Sequence, residues 1–505
     1  MAAVQQVTAE QVSEGRSPEG QPSRAPAPEA TDQVVPVARL RRGAAVTWLL
    51  LAALAGAALD QGGFYSGPQR LLAAAMVSAA AVAMWPAARP AGGPRSSWRM
   101  PAGIGFGCAG WAFSDGWLRG APAAGIRPAL LVVAVGMVIA LCRWLDPGQR
   151  ARLGTGLGLL GCLIGLLGWY GVASHSPAFA LTGQGLWRAM GTLGYPNAAA
   201  ALLALLLVGA LARQAEAGPR FGPEHRPTAL AGTVLLVGLG ATLSRGGLLA
   251  AGAGLAVLAV LLGPRRTLAA LWAPLLGALV ALAGLLPGLA STASPHLAPA
   301  AAALAAGLAV GGWAAPGWYR LRSRMPIAPL VVLGCAGVAL TGAGAALLVA
   351  GSGSALPTLR QARLTLSSSD RVAVWRAVTD VIAHHPITGA GPGLRTFSWP
   401  GPDSGVLVFA YAHNEYLQVA AEFGAIGLVL LLAALAAVLW ELRRYRPRSA
   451  GGEAAAAAIA GLAVLGTSAL FDFTGHFPAI VLTAAALVGC AEPVRRLRDS
   501  SSTYS

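Results

Sequence analysis

The sequence predicts an all-α protein: a polytopic transmembrane helical bundle of about 12–14 spans with one long, partly helical extracytoplasmic loop. Three observations carry that expectation. The 505 residues are 55% hydrophobic and only 11% charged, where a soluble domain carries about 25% charged residues. The apolar residues fall into blocks as long as a bilayer is thick. The arginines recur in every second connection between those blocks.

Residues 1–38, rich in Pro, Glu, Gln and Ser, read as a disordered tail. The first apolar run begins near Ala44, too far in for a cleavable signal. Apolar spans follow near 44–60, 70–86, 101–118, 127–142, 154–173, 196–212, 227–243, 247–263, 267–290, 296–315, 327–351, 423–441, 453–471 and 477–491. The third is the weakest, since it holds Asp115 and several glycines. Leu-, Ala-, Val- and Gly-rich blocks of this length satisfy their backbone in lipid only as helices.

The net charge is +16, and every one of the 36 basic residues is Arg. With the N-terminus in the cytoplasm and the spans alternating, 26 arginines fall in cytoplasmic segments, as the positive-inside rule demands. The basic balance therefore reads as topology, with no nucleic-acid partner implied. The organisation expected is a cytoplasmic tail (1–38), an N-terminal transmembrane bundle (39–351), an extracytoplasmic loop (352–422), C-terminal transmembrane helices (423–491) and a cytoplasmic tail (492–505). The protein is then a multi-pass protein of the cytoplasmic membrane with both termini in the cytoplasm. The five cysteines, Cys108, Cys142, Cys162, Cys335 and Cys490, lie in or beside apolar blocks without CxxC spacing. They read as small buried hydrophobes rather than zinc ligands or disulfides.

The arginines left outside are the informative ones. Arg245 sits in the tight connection Ser244-Arg245-Gly246-Gly247 between two spans. A charge there is either a helix-end arginine reaching the interface or an anion ligand at the outer face. Arg188 lies in segment 174–195, followed by Tyr195-Pro196-Asn197. Pro196 suits a first helical turn, and Asn197 suits capping or a local hydrogen bond. Trp187 and Tyr195 read as an interfacial aromatic belt.

The long loop has structure of its own. Ser367-Ser368-Ser369-Asp370 supplies capping residues, and Val372, Trp375, Val378, Val381 and Ile382 recur at helical spacing. This predicts an amphipathic helix over 370–384 carrying Arg371. His385-Pro386 and Gly389-Ala390-Gly391-Pro392-Gly393 read as a turn needing positive φ; no Lys-Ser/Thr follows to complete a nucleotide loop. Next comes His413-Asn414-Glu415-Tyr416-Leu417, then Glu422-Phe423-Gly424. On a helix, His413, Tyr416 and Glu422 share a face, and a histidine at a bundle mouth suits general base work. Asp472 in Phe471-Asp472-Phe473 either caps and pairs locally or orients an arginine or the histidine.

Arginines in pairs match diphosphate oxygens, a neutral His can take a proton from a sugar hydroxyl, and no DxD motif is present to hold a divalent metal. A lipid-diphosphate-linked glycan fits this set as donor. The ordered series Gly191-Thr192-Leu193-Gly194-Tyr195-Pro196-Asn197, Ser244-Arg245-Gly246-Gly247, Arg371 with Trp375, His385-Pro386 with Gly389-Ala390-Gly391, His413 to Leu417, Glu422-Phe423-Gly424 and Phe471-Asp472-Phe473 resembles the O-antigen ligase/polymerase superfamily over roughly 180–480.

The resemblance implies a metal-independent, inverting glycosyltransferase with no cofactor, moving a glycan from undecaprenyl diphosphate to an acceptor hydroxyl on a glycan, lipid or protein. It implies that Arg188, Arg245 and Arg371 hold the donor and that His413 activates the acceptor. Asn197, Asn414, Tyr416, Glu422 and Asp472 would support them. The family includes ligases and polymerases of lipid-linked repeat units, and the sequence does not separate these. A lipid-linked glycan flippase or other transporter is the reading from another class; few ionisable residues fall at mid-span and no internal repeat is evident, as such a transporter would favour.

Single cysteines at Ser368 and Ser449 test the topology. An impermeant thiol reagent added outside labels the first and spares the second; labelling of both or neither contradicts the arrangement.

Overall fold

The structure, a computed structural model, describes residues 37–84, 98–217, 226–322, 369–394, 396–400, 406–445 and 452–491. The expected span 327–351, residues 352–368 of the loop and the terminal segments 1–36 and 492–505 lie outside the described residues. The described chain is a polytopic helical bundle. Its α-helices are α1 (Val37–Leu59), α2 (Ser66–Met84), α3 (Arg99–Leu118), α4 (Pro122–Trp144), α5 (Pro147–Ser174), α6 (Pro196–Ala217), α7 (Arg226–Ala241), α8 (Arg245–Leu262), α9 (Pro264–Ala283), α10 (Leu297–Arg322), α11 (Ser369–His384), α12 (Glu415–Leu442), α13 (Glu453–Ala469) and α14 (Pro478–Cys490).

Eight of them are long and apolar enough to cross a membrane: α1, α2, α4, α5, α6, α8, α9 and α12. The parts of α7, α10, α13 and α14 described in full are shorter apolar helices. The third span, weakest in sequence, forms a helix but does not join the eight.

The core is built around α6. Leu202, Leu203, Leu205 and Leu207 are at most 1% exposed although they point in different directions round the helix, and a helix apolar on all sides is a buried one. It packs against α5, α7, α8, α13 and α14. Small residues set those distances, as expected where helices associate in lipid. A Cβ at Gly238 of α7 would stand 2.5 Å from the Gly165 Cα of α5, and one at Gly247 of α8 would overlap the Ala200 side chain of α6.

Two short antiparallel hairpins depart from the all-helical expectation. β1 (Ala180–Gly183) pairs with β2 (Leu186–Ala189), and β3 (Thr396–Pro400) with β4 (Val406–Ala410). Gln184 and Gly185 turn the first at φ +55° and +75°, the positive values that a two-residue hairpin loop requires. The hairpin was hidden because only one turn residue is a glycine.

The predicted amphipathic helix is α11, Ser369–His384. Its buried face is turned slightly from the stripe expected: Val374, Ala377 and Val378 pack on Phe397, Ala412 and Ala421. The following turn has positive φ at Gly389, Gly391 and Gly393. Ala390 N–H donates to Ala421 O at 2.7 Å and Gly391 N–H to Glu422 O at 3.0 Å, so the turn lies along the start of α12. That helix breaks at Gly424 (φ 65°, ψ −164°). The amides of Ala425 and Ile426, released from their helical partners, donate instead to Pro386 O and Ile387 O. Arg119 holds the same turn from the other side, donating to Gly389 O at 2.7 Å and Thr388 Oγ1 at 3.1 Å while paired to Asp115 at 2.8 Å.

Overpacking a buried backbone crossing costs about 1–3 kcal/mol. Gly238→Ala is therefore expected to lower the Tm in detergent, whereas Gly252→Ala, whose Cβ meets nothing within 4 Å, leaves it in place.

Candidate functional site

One end of the bundle gathers connections distant in sequence. The turn between α7 and α8 runs Thr242-Leu243-Ser244. Leu243 is at φ +50°, and Ser244 caps α8, its hydroxyl accepting the Gly247 amide at 3.1 Å. Arg245 is thus the first residue of α8, half-buried, where the helix dipole adds to its own positive charge. Beside it, β2 carries Arg188. Its guanidinium donates from Nε to Thr242 O at 3.1 Å and from Nη2 to Asn197 Oδ1 at 3.0 Å.

Asn197, at the top of α6, passes the connection on. Its Nδ2 donates to Tyr195 Oη at 2.9 Å and to Asp472 Oδ2. Tyr195 Oη itself donates to Asp472 Oδ2 at 2.7 Å. The aromatic-belt reading of Tyr195 therefore gives way to one inside the protein, where the ring also stacks on Phe473 with centroids 5.4 Å apart. Trp187 likewise stacks on His175, at 4.8 Å and 16°.

Asp472, in the connection between α13 and α14, is only 3% exposed. Its second oxygen accepts from Phe473 N–H at 2.9 Å and lies 3.2 Å from His413 Nδ1. Burial pushes this carboxyl up. The His413 hydrogen bond and charge, with the bonds from Tyr195 and Asn197, outweigh burial and hold it below its ordinary 3.8. With Asp472 ionised, the tautomer that satisfies the pair has the proton on Nδ1 of His413, which leaves the lone pair on Nε2.

His413 reaches this position on a strained backbone. Tyr411 and His413 stand at φ +66° and +48°, unusual for residues with a Cβ. Between them Ala412 is held at both polar groups: its amide donates to Gln418 Oε1 at 2.9 Å and its carbonyl accepts from Trp375 Nε1 at 3.1 Å. Asn414 then caps α12 by accepting the Leu417 amide at 3.1 Å.

Arg188, Asn197, Arg245, His413 and Asp472 line one cavity of about 390 Å³. Gln184, Ser244, Ser468 and Thr474 add polar lining, and Val374, Phe409 and Phe471 form an apolar part of the wall. Arg371 lies in the first turn of α11, and its side chain is outside the described residues. Three expected residues stand off the cavity. Asn414 serves as the cap. Tyr416 Oη donates to Gly466 O at 3.1 Å. Glu422, 7% exposed, accepts from Gln418 Nε2 at 2.6 Å and from Gly393 N–H at 3.2 Å; it fastens the glycine turn rather than facing the cavity.

Chemically, the cavity combines two guanidinium groups and a helix N-terminus, which suit phosphate oxygens, with an imidazole backed by a carboxylate, which suits proton transfer. Among the described residues no three or more His, Cys, Asp or Glu side chains are grouped to hold a metal ion.

Because its pKa is depressed on folding, Asp472 contributes stability that is fully present above 3.8 and is lost as pH falls through the lower folded value. The stability difference between wild type and Asp472→Asn is expected to close only as pH falls below 3.8, measured by chemical denaturation across pH. A gap closing near pH 6 contradicts the assignment.

A comparison with curated proteins finds no match. Residues 230–432, a segment containing Arg245, Arg371 and His413 but not Arg188 or Asp472, match the family model described as O-Antigen ligase, the family that the motif order resembles.

Proposed function

We propose that this multi-pass membrane protein transfers a glycan from a lipid-diphosphate carrier of the undecaprenyl type to an acceptor hydroxyl, at the non-cytoplasmic face of the cytoplasmic membrane. The observation that carries the reading is the single cavity shared by Arg188, Arg245 and the His413–Asp472 pair. Arg245 and the amino end of α8 take the donor diphosphate together with Arg188, whose remaining hydrogen bonds to Thr242 and Asn197 fix its direction. Arg371 belongs to the same donor-binding set.

In the proposed step, Nε2 of His413 removes the proton of the acceptor hydroxyl as that oxygen attacks the anomeric carbon. The carbon–oxygen bond to the diphosphate breaks, and the lipid diphosphate leaves with the electron pair. Attack opposite the leaving group inverts the anomeric centre. The arginines meet the charge that grows on the leaving oxygen, and Asp472 stabilises the imidazolium that forms on His413. No metal or cofactor enters this step. The aromatic and aliphatic lining from Val374, Phe409 and Phe471 offers the acceptor sugar an apolar surface.

The test uses purified protein in nanodiscs with undecaprenyl-diphosphate glycan and candidate acceptors, in EDTA. Wild type turns over. His413→Ala loses about 10²–10⁴-fold in kcat, and Arg245→Ala about 10²–10³-fold. Full activity of either variant, or dependence on a divalent metal, overturns the mechanism. A product of one added glycan marks a ligase, and a ladder of repeats marks a polymerase. Movement of the lipid-linked glycan between leaflets without transfer marks a transporter.

A further inference from the structure

His413 and Asp472 belong to two segments that are joined twice. The segment before and into α12 supplies His413 and Glu415; the connection between α13 and α14 supplies Asp472 and His476. In the first joint His413 meets Asp472 at 3.2 Å. In the second the direction is reversed: His476 Nδ1 lies 3.3 Å from Glu415 Oε1 and 3.4 Å from Oε2. The same carboxylate accepts the Gly475 amide at 3.1 Å. Glu415 and His476 side chains are 15% and 26% exposed, and neither residue lines the cavity. Between the two joints Tyr411 stacks on Phe473 with centroids 4.5 Å apart and packs against the His476 ring at 4.8 Å.

We infer that Glu415 and His476 are positioning residues for the proposed base: their contact fixes the 472–476 turn against the 411–415 segment and so holds Asp472 in reach of His413. The inference rests on the reading of His413 as the base. One residue separates His413 from Glu415, and three separate Asp472 from His476, so a shift of the turn at one joint moves the carboxylate at the other. The pair at 3.2 Å has little slack, since a hydrogen bond weakens steeply beyond that distance and off axis. His413 also sits at a positive φ, a conformation that lasts only where its surroundings over-determine it. Gly475 belongs to the same device. A Cβ there would come within 2.6 Å of Glu415 Oε1, so the turn approaches the carboxylate as closely as only a glycine allows.

The experiment measures kcat and KM for undecaprenyl-diphosphate glycan in nanodiscs, with Tm as the control for folding. Glu415→Ala is expected to lower kcat roughly 10-fold or more, with KM for the donor within about twofold, because the arginines that hold the donor lie on other elements. Glu415→Gln keeps an oxygen to accept from Gly475 and His476, and is expected to recover kcat to within about threefold of wild type. Gly475→Ala changes no ionisable group and leaves an ordinary backbone conformation, yet is expected to reproduce the kcat loss by displacing the carboxylate.

The inference fails if Glu415→Ala or Gly475→Ala, folded by Tm, keeps wild-type kcat while His413→Ala is inactive. It also fails if Glu415→Gln is no better than Glu415→Ala, or if KM rises while kcat holds. Activity of His413→Ala overturns the underlying reading and this inference with it, so the two failures are told apart.

Discussion

The polar end of the bundle depends on one buried carboxylate. Asp472 is almost removed from water, and an ionised group so placed is costly unless its lone pairs are filled. Here they are filled from four directions: the Tyr195 hydroxyl and Asn197 amide on one oxygen, the Phe473 amide and His413 imidazole on the other. Through Asn197 the set extends to Arg188, and through Arg188 to the carbonyl of Thr242 beside Arg245. A single anion therefore ties the first hairpin, the top of α6, the turn before α8 and the His413 segment together. Removing any one donor leaves the others facing an under-satisfied charge, which is why such networks hold their geometry more tightly than separate bonds would.

The helical frame makes that convergence possible by bringing backbones close. Glycines at the α5–α7 and α6–α8 crossings let helices approach to distances that side chains forbid. The central helix is apolar all round through its middle and carries its polar residues towards its two ends, Asn197 at one and Arg213, Gln214 and Glu216 at the other. Among the described residues, positive φ at non-glycine positions falls in the connections, at Gln61, His175, Gln184, Leu243, Tyr411 and His413. Left-handed backbone at such residues costs about 1–3 kcal/mol each. The surrounding contacts hold it: Ser244 N–H bonds Thr242 Oγ1 at 3.1 Å, and both polar groups of Ala412 are taken by side chains. The break at Gly424 follows the same logic, since the amides it frees are satisfied by the glycine turn rather than by lipid.

What the sequence made legible follows from the range over which each signal acts. Helices in lipid announce themselves in a window of about twenty residues, so the spans could be read directly. Arg245 was visible because a charge between two apolar blocks is anomalous locally, and His413 because it stands among polar residues just before a span. Tyr195 was not legible as a ligand of Asp472. An aromatic residue at a span end looks the same whether it faces lipid or a carboxylate 277 positions away. Asp472 remained ambiguous for the same reason, with its His413 partner 59 residues off. Helical periodicity put Glu422 on one face with His413 and Tyr416; His413 precedes α12, and the Glu422 oxygens face Gln418 and Gly393 instead of the cavity. Glu415 passed unremarked because its partners come from the connection between α13 and α14.

The placement of charge also bears on how a lipid-diphosphate donor and an acceptor would share the cavity. The cationic groups come from β2 and the amino end of α8, both anchored on the buried bundle. The imidazole comes from the segment leading into α12, beside α11 and the second hairpin, whose Val374 and Phe409 form apolar wall. In the proposed transfer the more anionic partner is thus met by groups anchored on the buried bundle, where pre-aligned dipoles need not reorganise as charge develops on the leaving group. The acceptor is met by surface elements, and elements of that kind accept variation without disturbing the core. The buried Asp472 lies at the junction and couples the two halves: its bonds to Asn197 and to His413 fix the imidazole relative to the arginines.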